Sequence, residues 1–450
     1  MYHVGLALSL LSLLSLTGEA RADNQSAEIT ELRQMLDELK GEYETRIIAL
    51  ETRLAEAERL AKSADRSADE AMEIAEDTAI SMTAGSSAPN TFNPAIGAVL
   101  VARYSDVDRG WEEIPGFIAG GELGPGESGF SLGESELNLN ANVDSLFFGN
   151  LTLALEVEDG ETEVAVEEAW VQTTGLSRGL TLVGGRFFSD LGYLNKFHRH
   201  ADDFTDRPLP YQAFLGGQYI ADGLQARWIA PTPLLVELGV ELNWGSGFPA
   251  SSSAGSSADA WTLFTNVGGD IGLSHSWQFG LSYLAADVAE RVAGGEEDPE
   301  TGLDTFTGDS DLVVADFVWK WSPDGNPTVW NLKLQGEYFW RDEDGEFAGL
   351  PYDGDQEGWY LQAIWQFMPR WRLGYRHDEV EADNGQLFAG TVLEDPVDAS
   401  KRDSFMIDWS HSEFSRLRLQ YTYDQVLADN DNQFFLQYIM SIGAHGGHEF

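Results

Sequence analysis

The sequence predicts an all-β transmembrane antiparallel barrel of about 16 strands, preceded by an N-terminal α-helical coiled coil. Three observations carry this. The stretch Gln433–Phe450 (QFFLQYIMSIGAHGGHEF) alternates: Phe434, Leu436, Tyr438, Met440 and Ile442 form one apolar face, and Gln433, Gln437 and Ser441 stand on the other. From Pro94 onward, segments of about ten residues repeat that apolar–polar alternation, as in Trp359, Leu361, Ala363, Trp365 and Phe367. Finally, tight turns and long acidic connections follow one another in alternation, and a membrane barrel needs short turns on one side and long loops on the other.

Composition agrees. The 450 residues hold 27 Lys+Arg against 75 Asp+Glu, a formal charge of −48, which excludes nucleic acid as a partner and favours attraction of cations. A life in salty surroundings would leave the same acidic bias. There are 14 Trp, 14 Tyr and 24 Phe at a mean hydropathy of only −0.25, a mixture that suits aromatic girdles with charged loops. With no Cys, stability rests on no disulfide.

Taken in order, the run Val4–Leu16 is too short to span a bilayer, and Ala20-Arg21-Ala22 offers a small-x-small cleavage site. Residues 1–22 therefore read as a signal peptide, although the n-region has no Lys or Arg. Residues 23–84 read as a periplasmic coiled coil. Ile29, Leu32, Leu36, Leu39, Tyr43, Ile47, Leu50 and Leu54, then Ala57 to Ala75, follow a three–four spacing with one slip. At 1.5 Å per residue that rod is on the order of 80 Å long. Its seam does not specify how many helices associate; a homotrimer is the expectation for a porin-like barrel. Residues 85–93 are a linker and 94–450 the barrel. Strands are expected to start near Pro94, Glu134, Phe147, Glu163, Leu180, Gln218, Leu234, Asp259, Ser274, Asp311, Val329, Gly358, Trp371, Asp403, Arg416 and Gln433. The long acidic connections are Ser105–Leu132, Phe188–Gly217, Gly245–Ala260, Asp287–Asp311, Asp342–Glu357 and Asp378–Lys401.

The third of the loops at that end, Phe188–Gly217, is the candidate constriction, with Asp190, Asp202, Asp203 and Asp206. Arg372, Arg376, Arg416 and Arg418 fall on the inward alternation of late strands, and Glu237, Glu241, Glu134 and Glu136 add inward acids. Acids facing an arginine ladder across water would make a transverse field through which polar solutes pass and apolar ones do not. An internal salt bridge stiffening the wall is the competing reading of each arginine. Acidic mouths predict passive, cation-preferring diffusion. His198 and His200, beside Asp202 and Asp203, are candidate zinc ligands, although hydrogen bonds that anchor the loop would use the same residues. No cofactor is expected, zinc entering only as substrate or loop ligand. No Ser-His pair stands at a recognisable spacing, so the chain is not expected to be an enzyme.

The stretches GESGFSLGESELNLNANVDSLFFGNLTLALEVEDGETEVAVEEAW, GRFFSDLGYLNKFHRHADDFTDRPLPYQAFLGGQY and IMSIGAHGGHEF resemble bacterial outer-membrane proteins known as zinc-regulated TonB-dependent outer-membrane receptors. The resemblance covers most of Phe92–Phe450 and implies a role in zinc or other metal uptake. The chain departs from a TonB-dependent receptor where the plug should be: a coiled coil occupies that place, and too few residues remain for about twenty-two strands. The coiled coil before a sixteen-stranded barrel is closer to phosphate-selective porins, whose lysine-rich pore is absent. The reading is thus a porin in the outer membrane of a Gram-negative bacterium, bordered by lipid, with Phe450 read by the barrel assembly machinery. The alternatives are a metal-binding receptor and a tether between outer membrane and cell wall.

Overall fold

The computed structural model describes Lys40 and residues 94–443, apart from 122, 159–160, 245–246, 251–257, 293–304, 386–387, 389 and 395–397. The signal peptide, the coiled coil (save the helical Lys40), the linker, and the tail with His445, His448 and Phe450 lie outside the described residues.

Among the described residues, seventeen strands form one sheet. They are β1 (Ala95–Val107), β2 (Gly129–Leu132), β3 (Ser135–Asn142), β4 (Phe147–Glu158), β5 (Glu161–Thr173), β6 (Leu180–Phe188), β7 (Ile220–Ile229), β8 (Leu235–Asn243) and β9 (Ala260–Ile271). Then come β10 (His275–Val292), β11 (Thr305–Trp321), β12 (Asn331–Phe347), β13 (Leu350–Met368), β14 (Trp371–Asp383), β15 (Ser400–Ser412), β16 (Ser415–Gln425) and β17 (Asp431–Gly443). Both β2 and β3 pair with β1, so they are two pieces of one stave and the barrel has sixteen. Each stave is antiparallel to its neighbours, and β1 meets β17 from Gly97↔Gly443 to Val107↔Gln433. Closure leaves no unpaired edge, the condition for a sheet to sit in lipid.

The period-two pattern becomes an inside and an outside. On β17, Phe434, Leu436, Tyr438 and Ile442 are exposed on the outer wall, while Gln433, Phe435, Gln437 and Ile439 are buried inward. On β13, Leu361 and Trp365 face out and Tyr360, Gln362 and Ile364 face in. Leu361→Arg therefore puts a charge against lipid and should destabilise the barrel by roughly 2–4 kcal/mol, measured by urea unfolding in vesicles. A matching cost for Gln362→Arg would contradict this assignment of faces.

The start of β1, the end of β17 and most of the tight turns share one end, the turn end; the opposite, loop end carries the long connections. Three hairpins depart from the expected alternation of lengths. Asp342–Glu357 is not a loop: β12 and β13 stay paired up to Phe347↔Leu350 across the two-residue turn Ala348-Gly349. Both turn residues have positive φ (53° and 75°), the geometry that matches the right-handed twist of a hairpin. Charge and glycine density signal a loop there, yet alternate residues Glu343, Phe347, Tyr352 and Gln356 are buried inward, and that face decides. Likewise β10 runs on to Val292, β11 begins at Thr305, β14 runs on to Asp383 and β15 begins at Ser400, so two other acidic loops are shorter than their charge implies.

Candidate functional site

The connection between β6 and β7 enters the barrel. Its middle is a single 3-10 turn at Arg199–Ala201 and a helix, α1 (Leu209–Leu215), whose seven residues are all buried. Pro208 and Pro210 start α1 without needing the amide hydrogens they lack, and Gly216, at φ 60°, ends it in the left-handed region. Tyr211, Phe214 and Leu215 of α1 pack with inward Leu312, Val314, Phe339 and Val380 of the wall and with Trp111, Ile114 and Phe117 of the first loop. The β14–β15 connection adds Phe388 and Leu393, packed with Ile118, Phe306 and Tyr352. The loop-end half of the lumen thus holds a hydrophobic core made of loops. Polar residues are only half-buried toward the turn end: Asn138, Asn140, Asn150, Arg227, Glu237, Lys320, Lys333 and Arg416.

Polar clamps hold the loop at three places. Glu337 on β12, 3% exposed, is the central acceptor. It takes the backbone amides of Tyr193 (2.9 Å) and Leu194 (3.1 Å) and the hydroxyls of Tyr211 (2.9 Å) and Tyr360 (2.6 Å). On the arginine side, Asp203 pairs with Lys333 and with Arg372 (2.9 Å). Asp206 pairs with Arg376 (3.3 Å) and Arg402, and Arg418 donates to the carbonyl of Asp202 at 2.5 Å. The Lys333 and Arg372 charges outweigh burial and hold the Asp203 carboxyl below the usual carboxylate range. Asp202 goes the other way: burial pushes it to about 6, although Arg207 pairs with it at 2.6 Å. On the acidic side, His198 Nδ1 lies 3.1 Å from Glu136 and 3.3 Å from Glu167, and its Nε2 lies 3.1 Å from Glu168. His200 Nδ1 lies 2.8 Å from Glu136, and Arg199 Nε lies 3.2 Å from Glu134. Burial disfavours a charged His198 imidazole, but the carboxylates of Glu136, Glu167 and Glu168 gathered around the ring outweigh it and raise its pKa well above the ordinary value.

Several expectations are redrawn by this geometry. The loop acids do not face the arginine ladder across water; Asp203 and Asp206 touch it, because the loop lies on the wall. Arg376, Arg418, Glu136 and Glu241 are consequently covered, at 3% exposure or less, whereas Arg372, Arg416, Glu134 and Glu237 keep some access. Asp190 stands away from the arginines, accepting from Gln225 (3.0 Å) beside Glu241, which takes Ser189 and the Asp190 amide. Asp202 and Asp203 are not the partners of His198 and His200; the glutamates of β3 and β5 are. Glu337, Glu167 and Arg402 were not among the candidates. Glu337 and Arg402 were legible as inward charges on alternating strands. Glu167 was not, because the register slips between Thr152 and Leu153, so that Glu167 has no partner on β4 and turns inward together with its neighbour Glu168.

No family model matches the chain. An uncharacterized protein of Aquifex aeolicus (strain VF5) is 31% identical over 365 residues, covering 75% of each chain. The chain belongs to the same family as this Aquifex protein. Among solved structures, a loop L8 deletion mutant of OmpT, an outer membrane protein of Vibrio cholerae, aligns with a TM-score of 0.50 at 13% identity, over 78% of this chain and 99% of that one. The outer membrane channel DcaP of Acinetobacter baumannii aligns with a TM-score of 0.50 at 12% identity, over 78% and 97%. What is shared with both is the fold, a closed sixteen-strand antiparallel barrel of the outer-membrane porin kind.

Proposed function

We propose that the chain is a passive diffusion channel of the Gram-negative outer membrane, its third loop setting the constriction. One observation carries this reading: the barrel has an apolar outer wall and a polar inner wall that stays half-open toward the turn end, where Asn138, Asn140 and Asn150 bond one another in a ladder at 2.8 Å. The turn end would face the periplasm, the coiled coil expected over 23–84 would hold three copies together, and Phe450 would address the assembly machinery. Energy-coupled uptake of the TonB kind is not part of the proposal, since sixteen staves fall short of the twenty-two typical of plugged transporters. Cations are the preferred solutes, zinc among them, because the loop aspartates neutralise the ladder at Arg372, Arg376 and Arg402 and leave the acidic mouth to set the field. Arg227, Lys320 and Arg416 at the turn end work against this preference, so its size is a measurable balance.

Purified protein in a planar bilayer under a salt gradient should give discrete conductance steps and a reversal potential of cation sign. An anionic reversal potential would remove the cation preference and keep the channel. A second reading has support in the loop core that fills the outer half of the lumen: a closed barrel serving as anchor for the coiled coil. Silent bilayers from well-folded protein would favour it.

A further inference from the structure

We propose that His198, His200, Glu136 and Glu167 form a site for a divalent transition-metal ion of the zinc class, with Glu168 positioning His198. The site rests on its own geometry and holds whether or not the barrel conducts. The ligand atoms of Glu136, His198 and His200 all lie within 4.8 Å of one another; Glu167 belongs to a second such group, with Glu134 and Glu136, and reaches the first through His198 Nδ1 at 3.3 Å. Around a tetrahedral zinc with bonds near 2.0–2.1 Å, neighbouring ligand atoms sit about 3.3 Å apart. The two carboxylate oxygens on His198 Nδ1, at 3.1 and 3.3 Å, match that edge.

Hydrogen bonding explains the convergence poorly. An imidazole Nδ1 carries at most one hydrogen, yet two carboxylates converge on this one. His198 Nδ1 and Glu167 Oε2 are both buried, and neither makes a well-formed hydrogen bond, although Glu167 is only 5% exposed. A cation between them would satisfy both. The other ring nitrogen is arranged as it is in metal-bound histidines, where a carboxylate accepts the remaining N–H and fixes the tautomer. Here that carboxylate is Glu168, itself held by Asn150 (3.1 Å), Thr152 (3.2 Å) and the Trp170 indole (2.9 Å). The bulge in β5 supplies the ligand and the positioning group from consecutive residues, which a regular strand would send to opposite faces. Imidazole nitrogens with carboxylate oxygens suit zinc and its neighbours over magnesium or calcium. Bound there, the ion would fasten the third loop to β3 and β5, on strands separate from the arginine clamp.

The test uses the full chain in detergent, stripped by chelator and titrated with Zn2+ against a chromophoric competitor in excess Mg2+, which saturates the acidic surface. One tight Zn2+ per chain is expected, with X-ray absorption showing two imidazole nitrogens among oxygen ligands. H198A/H200A should lose the site, E167Q should weaken it, and E168Q should weaken it by about 10- to 100-fold. H445A/H448A should leave it intact. Folding of each variant is checked by heat-modifiable migration, and if the double histidine variant does not fold, E167Q and the absorption spectrum decide. Zn2+ held no better than Mg2+, a site that survives H198A/H200A in folded barrels, or one that disappears with H445A/H448A would overturn the proposal.

Discussion

Asp203→Asn together with Asp206→Asn should raise single-channel conductance several-fold and move the reversal potential toward anions. The two carboxylates answer Lys333, Arg372, Arg376 and Arg402, and Arg376 and Arg402 are at most 2% exposed. Breaking one buried pair by removing a partner costs about 3–5 kcal/mol, because the remaining charge is left without its counterion. The loop can escape that cost by lifting off the arginine wall, which opens the lumen and uncovers positive charge together. Acid should act in the same direction on Asp203. Its folded carboxyl sits below the ordinary range, so its stabilisation is fully present above about pH 4 and is lost as pH falls through the lower folded value. Conductance of the native protein should therefore rise at low pH, and the double variant should have lost this part of the response. Unchanged conductance and selectivity in a folded double variant would show that the aspartates do not hold the constriction.

Glu337→Ala should release the apex of the loop. It strands the Tyr193 amide and two tyrosine hydroxyls in a buried setting, each costing about 1–3 kcal/mol when left without an acceptor, while the Leu194 amide keeps the Tyr211 hydroxyl at 3.0 Å. The barrel ladder around Glu337 is unaffected in its own hydrogen bonds, so the loss should be local. Hydrogen exchange should speed up across residues 189–219 while the β12–β13 ladder stays protected, and Lys196 and Arg199 should become open to trypsin. Protection that is unchanged in the loop, or that falls equally in the ladder, would refute a local clamp.

Much of the barrel was legible because a period of two, read against lipid outside and loops inside, leaves each strand one choice of face. All sixteen staves begin within about three residues of the expected positions except the β2–β3 stave, β11 and β13, which start earlier, at Gly129, Thr305 and Leu350, inside segments read as acidic connections. In β11 and β13 the inward face alone, Phe306 or Tyr352, keeps the ladder going, and a hydropathy contrast cannot report it because both faces lie beyond the apolar band. The site was legible in its parts and not in its pairing. His198 and His200 were visible, but a loop that turns back on itself sends them to β3 and β5 rather than to the adjacent aspartates. Which carboxylates they meet depends on a one-residue bulge, and no composition or periodicity marks where a register slips.

The third loop also constrains the order in which the molecule can be made. Its contacts reach Glu136 on β3 and Gln420 on β16, 64 and 215 residues away from His200 and Thr205. Contacts of such sequence separation form slowly, since the chain entropy must be given up before they return anything. A wall already sealed at the β1–β17 seam would leave the loop only the barrel mouth to enter by. We therefore expect the loop to dock while the sheet is still open, so that weakening its clamps should slow seam closure in refolding experiments even where the finished barrel is stable.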